Sequence, residues 1–114
     1  MDWASVATRC PAFFSADCRI AVLQGDPAGL NADVFFRVAA GDVLPHHWHS
    51  SAERMVLVEG ELEVQYDGHE AVTLRPGMYA YGPPKAPHKG RCLSRGSCTL
   101  FIAFEQPVDA HLVE

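Results

Sequence analysis

The stretch Gly41–Glu53 reads G-D-V-L-P-H-H-W-H-S-S-A-E, and Gly60 follows after six more residues. Three of its side chains, His47, His49 and Glu53, are of types that bind metal ions, and all three fall on one parity. On extended backbone, alternate residues point to the same face, so His47 and His49 are expected to project side by side into one interior, with Glu53 joining them after a turn. His46 and Trp48, of opposite parity, are expected to face outward. A fourth donor, His88, stands 35 residues beyond Glu53, in P-P-K-A-P-H. Three imidazoles and one carboxylate suit a single divalent first-row ion. Imidazole favours iron, nickel, copper and zinc, and a carboxylate widens the tolerance to manganese. Four such donors leave open positions on an octahedral ion for a ligand with paired oxygens. Glu53 has an alternative role, as a base beside the ion.

Outward from this stretch the chain reads as short strands punctuated by turns. Arg19–Gln24, Asp33–Val38, Val43–His49, Met55–Glu59, Leu62–Tyr66, Ala71–Leu74, Met78–Tyr81, His88–Cys92 and Cys98–Phe104 are the expected strands, rich in β-branched and aromatic residues. Pro45 marks an edge or an irregularity. Gly60-Glu61 and Asp67-Gly68 read as tight hairpins, Gly60 at a positive-φ position, and the last two strands as a final hairpin. No long segment carries a helical period; residues 108–114 are expected to form at most a helical turn, and the first eighteen residues are ambiguous. Many short strands with Gly and Pro turns indicate an all-β sandwich or barrel.

At 114 residues the chain is one domain, divided here into an N-terminal segment 1–18, a β-barrel 19–104 and a tail 105–114. A formal net charge of −5 argues against a phosphate-tracking nucleic-acid binder. No apolar run reaches the length of a membrane span, and the N-terminus lacks the basic start of a signal peptide. A cytoplasmic location is expected, with Cys10, Cys18, Cys92 and Cys98 reduced. The alternative for Cys92 and Cys98, which flank L-S-R-G-S, is a pair that faces across a turn and oxidises.

The spacing Gly41-five residues-His47-one-His49-three-Glu53-six-Gly60 resembles the first conserved motif of the cupin superfamily. Gly77-five-Pro83-one-Lys85-two-His88 resembles the second. Lys85 stands where that family usually has glycine, and Cys92 where it loosely keeps asparagine. The phrases A-V-L-Q-G-D-P-A-G and H-W-H-S-S-A-E-R further resemble a group of small single-domain bacterial cupins of unknown function. The resemblance implies a jelly-roll barrel (double-stranded β-helix), often a homodimer. It also implies that His47, His49, Glu53 and His88 hold one divalent transition-metal ion: iron, manganese, nickel, zinc or copper.

Candidates for a substrate pocket are Phe36, Tyr79, Tyr81 and Cys92; the two tyrosines share a face, which either lines the pocket or covers the outer sheet. Lys85, Lys89, Arg91 and Arg95 form a basic patch read as solvated, and His69 and His111 are read as surface residues. Two functions fit. One is a metal-dependent oxygenase, or an isomerase or lyase, acting on a small oxygen-chelating molecule. The other is a non-catalytic barrel that binds or senses a metal or small ligand and works through a protein partner. A purely structural metal is a third possibility.

Overall fold

A computed structural model describes Trp3 and residues 7–114; residues 1, 2 and 4–6, the start of the expected N-terminal segment, lie outside the described residues. Two antiparallel sheets face each other in a jelly roll. The first contains β1 (Ala7–Arg9), β2 (Arg19–Gln24), β3 (Asp33–Val38), β10 (Cys98–Phe104), β5 (Glu53–Glu59) and β8 (Tyr79–Gly82), in the order β1-β2-β3-β10-β5-β8. The second contains β4 (Val43–Trp48), β6 (Leu62–Tyr66), β7 (Val72–Leu74), β9 (His88–Cys92) and β11 (His111–Leu112), in the order β11-β4-β9-β6-β7.

Alternation builds the core. On β10 the residues Cys98, Leu100, Ile102 and Phe104 are buried, and on β5 so are Met55 and Leu57. Leu62, Leu74 and Cys92 meet them from the second sheet. Each strand thus gives one face to a shared apolar interior, as sandwich packing requires. Glu53 occupies the inward parity of β5, a carboxylate where the next two inward positions hold Met55 and Leu57.

Several turn expectations are corrected. Gly60-Glu61 does not close a hairpin, because β5 and β6 belong to different sheets. The chain crosses there from one sheet to the other. The connection from β9 to β10 also crosses, so it too is not a hairpin. Short sequence separation suggests pairing, but at a sandwich corner a bend of few residues switches sheets instead. Asp67-Gly68 does join a paired hairpin, β6 with β7. Gly60 adopts φ 92° at its crossing, and a Cβ there would stand 2.7 Å from the Ser97 carbonyl oxygen. The two crossings pack against each other, which is why the site needs glycine.

The tail is not helical: His111 and Leu112 pair with Trp48 and His47 as a short edge strand. At the other end, Ala7–Arg9 pairs with β2. The four cysteines are joined as Cys10–Cys18 and Cys92–Cys98: the first corrects the expected reduced state, and the second follows the alternative of a pair oxidised across its turn. The second disulfide closes the corner between β9 and β10, and the first closes the loop between β1 and β2.

Candidate metal centre

Pro45 decides the geometry of the first motif. It has no N–H to give to a ladder, and the register between β4 and β9 shifts between Leu44 and His47. Leu44 and His47 both point inward across this irregularity, although they are three positions apart. Beyond it, His47 stands directly opposite His88 of β9, and His88 in turn opposite Tyr66 of β6. One row of the second sheet therefore carries Tyr66, His88 and His47. Facing it, Glu53 of β5 lies in register with Phe104 and Gly82. His49 follows the end of β4 and turns into the same space.

The structure brings the four sequence candidates together. Donor nitrogens of His47, His49 and His88 all lie within 4.8 Å of one another. Glu53 Oε1 is 3.3 Å from His49 Nε2 and 3.8 Å from His88 Nε2. His47, Glu53 and His88 are buried. Each ring is held through its other nitrogen. His49 Nδ1 donates to the Asp109 carbonyl at 2.7 Å, His88 Nδ1 donates to the Ala86 carbonyl at 2.9 Å, and His47 Nδ1 donates to the Pro45 carbonyl. Those bonds fix the tautomer, leaving the Nε2 lone pairs free, which is the arrangement metal-ligating histidines use.

Electrostatics agree with that use. Burial, reinforced by the neighbouring His88, pushes His47 down to about 3. Burial also pushes His88 down to about 4. Both imidazoles are therefore neutral near pH 7, as ligation requires. Burial raises Glu53 above the usual carboxylate range, and nearby His49 offsets only part of this. An anion in this apolar place is costly unless a cation joins it. The donors thus fit a divalent ion. Nitrogens bound to one tetrahedral ion at 2.0–2.1 Å stand about 3.4 Å apart, so a pair at the 4.8 Å limit draws in by about 1.4 Å.

The donors line a cavity of about 110 Å³. Phe14, Ile20, Phe36, Leu62, Ile102 and Phe104 form much of its wall. Phe36 is among the residues that line this cavity. Tyr79 and Tyr81 are not: they are 59% and 50% exposed, because Ala80 and Gly82 take the inward positions of β8 opposite Met55 and Glu53. The tyrosines share a face, but the outer one, and border a separate groove with Val72 and Met78. Cys92 is also removed from the pocket. It is buried inward on β9, yet its sulfur is bonded to Cys98, and it lies four residues, about 13 Å, along the strand from His88.

His46 points outward and meets Asp67 at 2.8 Å, and Trp48 stacks on His111 with ring centroids 4.3 Å apart. Lys89 and Arg91 are exposed on the outer side of β9. Lys85, in the position where glycine was expected, adopts φ 62° and donates its N–H to the His49 carbonyl at 2.7 Å. The backbone shape survives the substitution, and this bond ties the two motifs together.

Three contributors escape the sequence reading. Asp109 supports His49 through its carbonyl, while its carboxylate accepts from Ser50 N at 2.8 Å and Ser50 Oγ at 2.5 Å. Burial alone would raise that carboxyl, but the Ser50 bonds and His111 outweigh it and hold the group below its usual range. Phe14 sets its ring edge-on to His47, centroids 5.0 Å apart. Tyr66 stacks on His88 at 4.6 Å. Of these only Tyr66 carried a signal, its shared parity with Leu62 and Val64.

A sequence profile of the Cupin domain matches residues 34–104. No curated protein matches. Solved structures with the same fold include DMSP lyase DddQ from Ruegeria pomeroyi, with TM-score 0.78 and 21% identity over 99% of this chain and 59% of that one. They also include a cupin-2 domain from Rhodospirillum rubrum, with TM-score 0.79 and 15% identity over 100% of this chain and 79% of that one. The polyketide cyclase RemF from Streptomyces resistomycificus has TM-score 0.78 and 20% identity over 100% of this chain and 84% of that one. This chain thus spans about three-fifths of the length of the lyase. Among the described residues, no helix is long and apolar enough to cross a membrane.

Proposed function

The chain belongs to the cupin family, and from that premise we propose that it holds one divalent first-row ion on His47, His49, His88 and Glu53 and acts on a small oxygen-chelating molecule as a metal-dependent oxygenase or lyase. The observation that carries this reading is the convergence of three tautomer-locked imidazoles on the floor of a cavity with apolar walls. An ion bound there supplies Lewis acidity and, where redox-active, a route to dioxygen.

The chain's own residues do the rest. Backbone carbonyls of Pro45, Ala86 and Asp109 orient the rings, so little rearrangement accompanies binding. Phe14, Phe36 and Phe104 exclude water and leave the electrostatics of the site strong. Ionised Glu53 has two uses, as a ligand to the ion or, left uncoordinated, as a base beside it. The names of similarly folded proteins, a lyase and a polyketide cyclase, support a small-molecule substrate. A homodimer belongs to this reading, supported by exposed Val72, Met78, Tyr79 and Tyr81 along one side. The expected cytoplasmic location has less support, since two disulfides stand against a reducing compartment.

The test is to load metal-free protein anaerobically with Fe(II), admit air, and follow oxygen uptake and product formation with diketones, catechols, thiols and small carboxylates. Turnover that disappears in His47→Ala supports the enzyme. Stoichiometric metal retention without turnover on any substrate would replace it with the binding or sensing module.

A further inference from the structure

Tyr66 ends β6 in register with His88, its ring stacked on that imidazole at an interplanar angle of 28°. Its Oη is buried and makes no hydrogen bond among the described residues. Buried hydroxyls without a partner are rare, and each calls for an explanation. The structure makes deliberate room for this one. A Cβ on Gly82 would lie 2.3 Å from Tyr66 Oη and 3.4 Å from Glu53 Oε1. The hydroxyl and the carboxylate therefore lie side by side against Gly82, and Tyr66 and Glu53 both line the cavity that holds the three imidazoles.

We propose that the Tyr66 hydroxyl is a specificity-determining donor, placed to hydrogen-bond an anionic oxygen of the molecule that occupies the open side of the metal ion; this rests on the metal reading above. Charge accounting points to the same ligand class. Neutral imidazoles and an ionised Glu53 leave a divalent ion with one uncompensated positive charge. In apolar surroundings that charge favours a monoanion over a neutral ligand. A tyrosine O–H offers one donor and adds no second charge. The cavity wall beyond it is apolar, so the ligand class is a small monoanionic carboxylate or enolate with an apolar remainder.

Tyr66→Phe keeps the ring on His88 and deletes only the donor. Wild type and variant are loaded with Co(II), whose visible bands report ligand exchange, and titrated with acetate and separately with 1-methylimidazole, which binds through nitrogen and offers no acceptor once bound. The variant is expected to keep one Co(II), to weaken acetate by about ten-fold or more, and to bind 1-methylimidazole within about two-fold of wild type. Unchanged acetate affinity overturns the assignment. So does equal weakening of both probes, which would make Tyr66 a packing residue, or loss of Co(II) from the variant alone, which would make it part of the ion's own shell. Failure of wild type to hold Co(II) refutes the metal reading and this inference together, whereas intact Co(II) binding with unaltered acetate affinity removes only the role given to Tyr66.

Discussion

Unfolding the metal-free protein in urea at a series of pH values reads the charge state of the cavity groups. His47, pushed to about 3, and His88, pushed to about 4, both titrate below their unfolded value of 6.5. Between about pH 5 and 6 the unfolded chain protonates both imidazoles and the folded chain neither, so unfolding takes up two protons there. Glu53 opposes them. Its folded value lies above the unfolded 4.5, so while it keeps its proton the folded chain holds one that the unfolded chain has released. The net uptake is then one proton. Stability is therefore expected to rise with pH by about 1.4 kcal/mol per unit, and by about twice that once Glu53 ionises. Below about pH 5 the His88 contribution fades as the folded form also protonates. Asp109 acts only below its unfolded 3.8, outside this window. His47→Gln removes one imidazole and should lower the slope by about 1.4 kcal/mol per unit. Stability that is flat, or that falls, between pH 5 and 6 in the wild-type protein with chelator present would refute the burial argument for these groups.

Other expectations are simpler to state. Gly60→Val combines φ 92° with a Cβ 2.7 Å from a backbone oxygen, and should cost at least about 2 kcal/mol in urea unfolding; a neutral result would mean that the crossing is misdrawn. Gly82→Ala should destabilise by about 1–3 kcal/mol through the Tyr66 hydroxyl, and more than half of that loss should be recovered in Gly82→Ala/Tyr66→Phe. Additive effects in that cycle would break the link between the two residues. Asp109→Ala deletes both side-chain bonds to Ser50 and loosens the carbonyl behind His49, so zinc affinity in a competition titration should fall about ten-fold; unchanged affinity would show the tail to be dispensable.

Much of this arrangement was legible before any coordinates. The donors His47, Glu53 and His88 are polar residues on inward parities, and a strand that buries alternate positions leaves them no other place to go. The motif spacing supplied the rest of the fold class. What could not be read was which sheet each strand joins. A two-residue Gly-Glu turn and a five-residue loop look like hairpins locally, yet the apolar faces they connect close opposite walls of one interior. Tyr79 and Tyr81 were ambiguous for a related reason: parity groups them but does not say which side is inward until Glu53 and Met55 are paired with Gly82 and Ala80. Asp109 had no local signal, since its contact with His49 spans 60 residues. Cys92 and Cys98 flank a short turn that already offers pairing, whereas nothing local marks Cys10 and Cys18; the loops bring the pairs to 5.8 and 5.5 Å at Cα.

X-ray absorption on zinc-loaded protein probes the first coordination shell itself. One ion per chain with outer-shell scattering from three imidazoles, and a carboxylate oxygen at about 2.0–2.2 Å, is the result this arrangement predicts. Fewer than three imidazoles on the ion, or protein that retains no metal in stoichiometric amount, would contradict it.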